Sequence, residues 1–350
     1  MKISNAEAML FRGPGKELLS TEYPFPHLNK KEVLVRNILS TICASDVHTY
    51  TGKRPGHTPG ILGHEIIGEI IALGENVLDY NGNPLKIGDR ITWSVYAYDQ
   101  NSEEAKNGFP QKSKGLIKYG HEAVTENHQL SGGFATHTHL LEGTALFRLP
   151  THLSNETCTP INCTHATVAG AIRLAGEIEN KNVLICGLGM LGLSASAMSN
   201  HYGAKTVIGI DNKDNRLVHS KKFGVSHPFH AYEDPSELEK KIANLGGIDI
   251  FIDTSGVPNA MELGVSLLNI GGTAIFVGAV YNQRNLEINA EQVVRKLLTI
   301  KGLHNYTPED LDTAIEFISK TENQFPYHEL VGKSYLLPEL EHALNDSQGG

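Results

Sequence analysis

The stretch Val183-Leu184-Ile185-Cys186-Gly187-Leu188-Gly189-Met190-Leu191-Gly192 decides how the rest of the chain reads. A short apolar run leads straight into a glycine turn, and the small, apolar segment from Leu193 to Met198 reads as the helix that follows. Gly187, Gly189 and Gly192 fit the G-x-G-x-x-G spacing of a dinucleotide-binding turn. The first glycine permits the bend, the second lets backbone approach a pyrophosphate, and the third packs helix against strand. Met190 and Leu191 lie at the helix start, where free backbone N–H groups and a positive dipole end favour phosphate.

A second apolar run, Thr206-Val207-Ile208-Gly209-Ile210, ends on Asp211, where an acid about 20 residues past the glycines can bind the adenosine ribose. Such an acid accepts hydrogen bonds from ribose hydroxyls and repels a 2′-phosphate, so NAD is favoured over NADP. Arg216 keeps NADP open, because a guanidinium can hold a phosphate.

Working outward, strands at 183–186, 206–210, 248–252, 273–277 and 298–302 alternate with helical segments at 191–202, 214–223, 235–245, 258–269 and 290–297. That alternation specifies a doubly wound parallel sheet. Residues 1 to about 150 read differently. Short β-like runs at 32–38, 66–72 and 90–93 are separated by Gly, Pro and Asp turns, the pattern of a mostly antiparallel β domain. A helix at 308–319, opening on Thr307-Pro308-Glu309, starts a tail expected to return to that first domain.

The chain has 350 residues, 40% hydrophobic and 20% charged, enough for two domains with their own cores. Its formal net charge of −9 argues against nucleic acid or an anionic membrane as a general partner. No apolar run approaches the ~20 residues of a membrane span, and Met1-Lys2-Ile3-Ser4-Asn5 lacks the apolar stretch of a secretory signal. Cysteines 43, 158, 163 and 186 form no tight disulfide framework and read as cytoplasmic thiols.

Three further clusters carry chemistry: Cys43-Ala44-Ser45-Asp46-Val47-His48, Gly63-His64-Glu65, and Cys163 within Pro160-Ile161-Asn162-Cys163-Thr164-His165-Ala166-Thr167. None has a local zinc-finger spacing, and a buried cysteine is most often a small hydrophobe. Two cysteines and one histidine could still form a catalytic zinc site with its fourth position open.

In combination and in this order, these motifs resemble the medium-chain, zinc-dependent alcohol dehydrogenase family over essentially the whole chain. The resemblance implies an α/β protein: a GroES-like, mostly-β catalytic domain at 1–164, a doubly wound parallel Rossmann domain binding NAD at 165–304, and a return to the catalytic domain at 305–350. It also implies that Cys43, His64 and Cys163 hold one catalytic zinc per subunit, with Glu65 a carboxylate that can approach the metal. Ser45 and His48 would carry the alcohol's proton outward through the nicotinamide ribose. Asp46 would be structural or would support His64. Thr167 would lie against the nicotinamide, and the Val277 and Ala279 backbones would bind its carboxamide. The substrate would be a small alcohol or aldehyde, and the assembly a homodimer or homotetramer, with the strand near 298–303 able to pair with its copy.

Many members of the family carry a second, structural zinc on four cysteines spaced C-x2-C-x2-C-x7-C. Here Asp99, Ser102, Ala105 and Ser113 stand at that spacing, so no structural zinc is expected. The phrases Phe109-Pro110-Gln111-Lys112, Lys118-Tyr119-Gly120-His121-Glu122 and Ser131-Gly132-Gly133-Phe134 resemble a subgroup associated with phosphonate metabolism. Lys53, Arg54 and His57, in a loop that borders the family's substrate cleft, and Lys112, Lys114, Lys118 and His121 could bind an anionic group or be solvated loop charges. Trp93 is expected to wall the pocket. Members usually run into one more β-strand beyond the point where this chain stops, at Gln348-Gly349-Gly350. The alternatives are a polyol or other secondary-alcohol dehydrogenase on the same scaffold, or a non-catalytic dinucleotide-binding protein.

Overall fold

The glycine stretch opens a six-stranded, all-parallel sheet in the computed structural model, which describes residues 5–349. The expectations for residues 1–4 and 350 lie outside the described residues. Strand Asn182–Cys186 is central. Thr206–Asp211 and then His227–His230 lie to one side, and Ile248–Asp253, Leu268–Phe276 and Thr299–Gly302 to the other. The central strands are buried along nearly their whole length, which is why they read as continuous apolar runs. Leu184, Ile208, Phe251 and Ala274 of the sheet pack with Leu238, Ile242 and Val265 of the connecting helices.

Five of these strands match the sequence pattern, and His227–His230 is an addition. It contains Pro228, which cannot donate to a ladder and marks a non-strand in a central position. At the edge of the sheet that missing N–H costs nothing, and the segment pairs with Ile208–Asp211 through its other side. The strand expected at 273–277 starts earlier, at Leu268, because helix Pro258–Ser266 ends before the expected 269.

By its contacts the chain forms two units. One comprises residues up to Cys163 together with Thr307–Ile315 and the stretch from Tyr327 onward, and the other comprises Thr164–Tyr306 and Glu316–Pro326. Helix Pro308–Thr321 therefore contributes to both. Its later part groups with the second unit because the Phe317 ring packs on His201 and Tyr202, and Phe325 stacks on Phe223.

In the first unit, strands Val33–Thr41, Glu65–Leu73 and Arg90–Ala97 form the middle of an antiparallel sheet, flanked by Ile117–Lys118 and His137–Leu140. A three-stranded sheet, Leu19–Pro24, Asn5–Phe11 and Gly60–Ile61, packs through Ala8, Phe11 and Ile61 on Phe134 and on Leu340 and Leu344 of the last helix, Leu340–Asp346. Tyr50 donates a 3.0 Å hydrogen bond to Glu341 of that helix. Among the described residues, no helix is long and apolar enough to cross a membrane.

Candidate active site

Cys43 is the residue before helix Ala44–Tyr50, and its surroundings are fixed by Asp46. The Cys43 N–H donates to Asp46 Oδ2 at 3.0 Å, and the Asp46 N–H returns a bond to Cys43 O at 3.0 Å. Asp46 Oδ1 accepts the Gly63 N–H at 3.2 Å and lies 3.2 Å from His64 Nδ1. A carboxylate at Nδ1 holds the proton there and leaves Nε2 as the lone-pair nitrogen, the state a metal ligand needs. Ser45 Oγ is 3.5 Å from that Nε2.

Cys163 arrives from a different part of the chain, after the 3-10 turn Thr159–Asn162. The fully buried Asn162 donates through Nδ2 to His64 O at 3.0 Å and Trp93 O at 3.2 Å, and accepts the Ile66 N–H at 3.3 Å. That side chain ties the Cys163 turn to His64 and to the start of the strand Glu65–Leu73 that follows it. The ligand atoms of Cys43, His64 and Cys163 then all lie within 4.8 Å of one another. Two sulfurs and an imidazole are a zinc donor set, and one ion at bond lengths of about 2.0–2.3 Å reaches all three with a small inward adjustment. The hydrogen bond from Cys163 draws the Cys43 thiol well below its ordinary value against burial, and the His64 ring acts in the same direction. Glu65, also fully buried, accepts a 2.6 Å bond from Thr41 Oγ1 and stands within electrostatic reach of Cys163.

In the second unit, Gly187 makes the bend at φ +87°. A Cβ on Gly192 would lie 1.8 Å from Gly187 O, so this position must be glycine for the helix to meet the strand. Gly189 is the opposite case, since a Cβ there would meet nothing nearer than Arg216 Nη1 at 3.8 Å. The space above Gly189 is what a phosphate needs. Asp211, at the end of its strand, accepts the Leu188 N–H at 2.7 Å and the Lys213 N–H at 2.9 Å, and Arg216 Nη1 stands 3.6 Å from its Oδ2. Met190 and Leu191 begin helix Met190–His201. Thr167 is half-buried on helix Thr164–Ala175, while Val277 is buried just past its strand and Ala279 is exposed.

Comparison with known proteins agrees with this arrangement. The sequence profile described as "Alcohol dehydrogenase GroES-like domain" matches residues 29–151, and that described as "Zinc-binding dehydrogenase" matches residues 191–320. A sorbitol dehydrogenase of Halalkalibacterium halodurans is 27% identical over 338 residues, covering 94% of this chain and 92% of the relative. An L-threonine 3-dehydrogenase of Vibrio parahaemolyticus is 25% identical over 344 residues, 96% of this chain and 94% of that one. The crystal structure of an alcohol dehydrogenase from Thermotoga maritima superposes with a TM-score of 0.93 at 25% identity, covering 99% of this chain and 97% of that chain. The chain belongs to the zinc-dependent medium-chain alcohol dehydrogenase family. It is an oxidoreductase of that class.

In this alcohol dehydrogenase the positions that match the family's four-cysteine lobe are joined by hydrogen bonds. Ser102 Oγ donates to Ser113 Oγ at 2.9 Å and caps helix Glu103–Lys106 by accepting the Ala105 N–H at 3.2 Å. The Ser102 N–H donates to Asp99 O at 3.1 Å.

Trp93, expected to wall the pocket, has its side chain in the core of the first unit. It is fully buried, packed with Val33, Ile66, Ile91 and Tyr119 in the core of the antiparallel sheet. Side chains alternate along strand Arg90–Ala97, and residues 91 and 93 share its inward face.

The basic residues separate into two groups. Arg54 donates its N–H to His48 O at 3.0 Å, which ties its loop to the end of the Cys43 helix, whereas His57 and Lys114 are exposed. Burial, then Lys53, lowers the His48 imidazole below its ordinary value. Lys118 is half-buried, and burial, with Arg54 and Lys112 adding to it, draws its ammonium down to about 8 while Cys163 and Cys43 pull the other way. The His121 ring lies 4.9 Å from the His64 ring. Asn162, Thr41 and the His121–His64 contact have no signature in the sequence beyond being polar residues near the cysteine and histidine clusters.

Proposed function

We propose that this dehydrogenase interconverts a small alcohol and its aldehyde with NAD as hydride acceptor, at one zinc held by Cys43, His64 and Cys163. The convergence of those three ligand atoms, with Asp46 behind His64, carries the reading. The working division is a catalytic domain at 1–164, an NAD-binding domain at 165–304 and a catalytic return at 305–350, in the cytoplasm.

When bound, zinc supplies Lewis acidity toward the substrate oxygen and the nicotinamide supplies the hydride acceptor. Ser45 offers its hydroxyl beside His64 Nε2 as first acceptor of the alcohol's proton. His48 stands one turn further along the same helix face and stays neutral near pH 7, so it can take that proton toward solvent. Glu65, held by Thr41, is the carboxylate available when water or substrate exchanges at the metal. Thr167 and the Val277 and Ala279 backbones position the nicotinamide.

The substrate class we favour bears a phosphonate, supported by the subgroup phrases and by Arg54 at the end of the Cys43 helix, with His57 on the same loop. Similarity to a sorbitol dehydrogenase favours a second reading, a polyol substrate. NAD is preferred because Asp211 ends the second strand with a carboxylate that accepts the Leu188 N–H in the glycine turn. Strand Thr299–Gly302, exposed along its length at the sheet edge, is the pairing surface for a homodimer or homotetramer.

The test is kcat/KM on 2-hydroxyethylphosphonate, sorbitol and ethanol with NAD and with NADP, for the wild type and Asp211→Ser. The reading requires the phosphonate and NAD to be preferred, and Asp211→Ser to shift the NAD:NADP ratio toward NADP by about 10-fold or more. Preference for sorbitol would establish the polyol reading. Zinc-loaded protein that binds NAD and oxidises none of the three would move the chain to a non-catalytic role.

A further inference from the structure

Asp253 ends strand Ile248–Asp253, which lies between the strand that opens the glycine turn and strand Leu268–Phe276. Its partners in register are Cys186 on one side and Phe276 on the other. The residue is fully buried, and its carboxylate closes the turn 253–256. Oδ1 accepts the Ser255 N–H at 3.1 Å, the Ser255 hydroxyl at 2.7 Å and the Gly256 N–H at 3.3 Å. Oδ2 accepts the Gly256 N–H at 3.1 Å. The backbone carbonyl of the same residue accepts the Val277 N–H at 2.9 Å and the Gly278 N–H at 3.1 Å.

The turn meets a loop on each side. Toward the glycine turn, the Thr254 N–H donates to Cys186 O at 2.9 Å, and Thr254 Oγ1 donates to Gly187 O at 2.6 Å. On the other side backbone meets backbone. A Cβ on Gly256, whose φ is +66°, would lie 2.3 Å from Gly278 O, and a Cβ on Gly278 would lie 2.2 Å from Gly256 N. With no side chain between these two glycines, the shape of the turn sets how far residues 277–279 stand from the glycine turn. The carboxylate of Asp253 sets that shape.

The topology gives this spacing a use. A dinucleotide lies across the carboxyl ends of a doubly wound sheet, with its pyrophosphate at the glycine turn. The proposed ribose acid, Asp211, ends the strand on one side of that turn, so the nicotinamide half falls on the other side, over the turn 253–256 and residues 277–279. We propose that Asp253 is a positioning residue for the nicotinamide: through the turn 253–256 it holds residues 277–279 at a fixed distance from the glycine turn. This rests on the cofactor reading above and is independent of the metal ligands and of the choice of alcohol. Bonds from N–H groups to an ionised carboxylate are stronger than neutral ones, and Asp253→Asn replaces one acceptor by a donor that faces the Gly256 N–H.

The test separates the two halves of the cofactor by calorimetry on zinc-loaded protein, with NADH and with ADP-ribose, which lacks the nicotinamide. The wild type binds NADH more tightly than ADP-ribose. In Asp253→Asn the Kd for NADH rises about 10-fold, while that for ADP-ribose stays within about twofold. Ser255→Ala, which removes only the hydroxyl bond, moves NADH in the same direction by less. Thr254→Val cuts the contact to the glycine turn instead and weakens both ligands together. In turnover, Asp253→Asn lowers kcat/KM for NAD more than for 3-acetylpyridine adenine dinucleotide, which carries an acetyl group in place of the carboxamide and so depends less on residues 277–279. The thermal midpoint is read on each variant, and where Asp253→Asn fails to fold the same comparison in Ser255→Ala decides. Equal loss of NADH and ADP-ribose, or loss of neither, overturns the proposal while the cofactor reading stands. Wild-type protein that binds ADP-ribose as tightly as NADH overturns it as well, and wild-type protein that binds neither overturns the cofactor reading with it.

Discussion

Asp46 Oδ1 lies 3.2 Å from His64 Nδ1, with the side chain of Asp46 fully buried and that of His64 only 4% exposed. The same carboxylate also fixes the backbone of Cys43 and of Gly63, so two of the three proposed metal ligands, Cys43 and His64, share one anchor. Asp46→Asn keeps the shape and removes the charge that fixes the Nδ1 proton. Zinc retention against a competing chelator and kcat/KM should each fall by about 10- to 100-fold. Retention equal to wild type would show that Asp46 serves only the helix start.

Gly189 and Gly192 are three residues apart and should fail in different ways. Gly192→Ala drives a Cβ into the Gly187 carbonyl and should lower stability by about 1–3 kcal/mol or more, read from thermal or urea unfolding. Gly189→Ala meets open space and should leave the thermal midpoint near wild type. Its methyl group intrudes where the pyrophosphate approaches, so the Kd for NAD should rise by about 10-fold or more. Identical behaviour of the two variants would count against the phosphate site.

His165 sets a pH dependence in the second unit. Burial draws its imidazole down to about 3, and its Nδ1 lies 2.7 Å from Ser194 Oγ. The unfolded chain titrates this group near its ordinary 6.5, so below that pH the unfolded state binds a proton that the folded state does not. Its contribution is complete above pH 6.5 and is lost as the pH falls toward 3. At about 1.4 kcal/mol per pH unit, moving from 6.5 to 5 costs about 2 kcal/mol. Urea unfolding of His165→Asn at pH 7 and pH 5 should show a difference smaller than wild type by about that amount.

Much of the fold could be read from the chain because its determinants are local. The apolar run 183–186, the three glycines and the apolar run 206–210 ending on Asp211 state a strand, a turn, a helix and a second strand, and the structure builds that βαβ unit. The proposed metal ligands were legible only through resemblance. Cys43, His64 and Cys163 are far apart in sequence, and Asn162 and Asp46 bring them together by hydrogen bonds that no spacing encodes. The side that Trp93 faces is set by the phase of strand Arg90–Ala97 against the core, which residue type alone does not encode. His227–His230 was hidden by Pro228, whose cost depends on whether the strand lies at an edge.

Zinc per subunit, measured by mass spectrometry on chelator-free wild-type protein and on the Cys43→Ala/His64→Ala variant, decides whether these residues form the metal centre. The account predicts one zinc per subunit in the wild type and almost none in the variant, with NAD-dependent turnover lost in parallel. Two zincs in the wild type, or zinc retained by the variant, would contradict it.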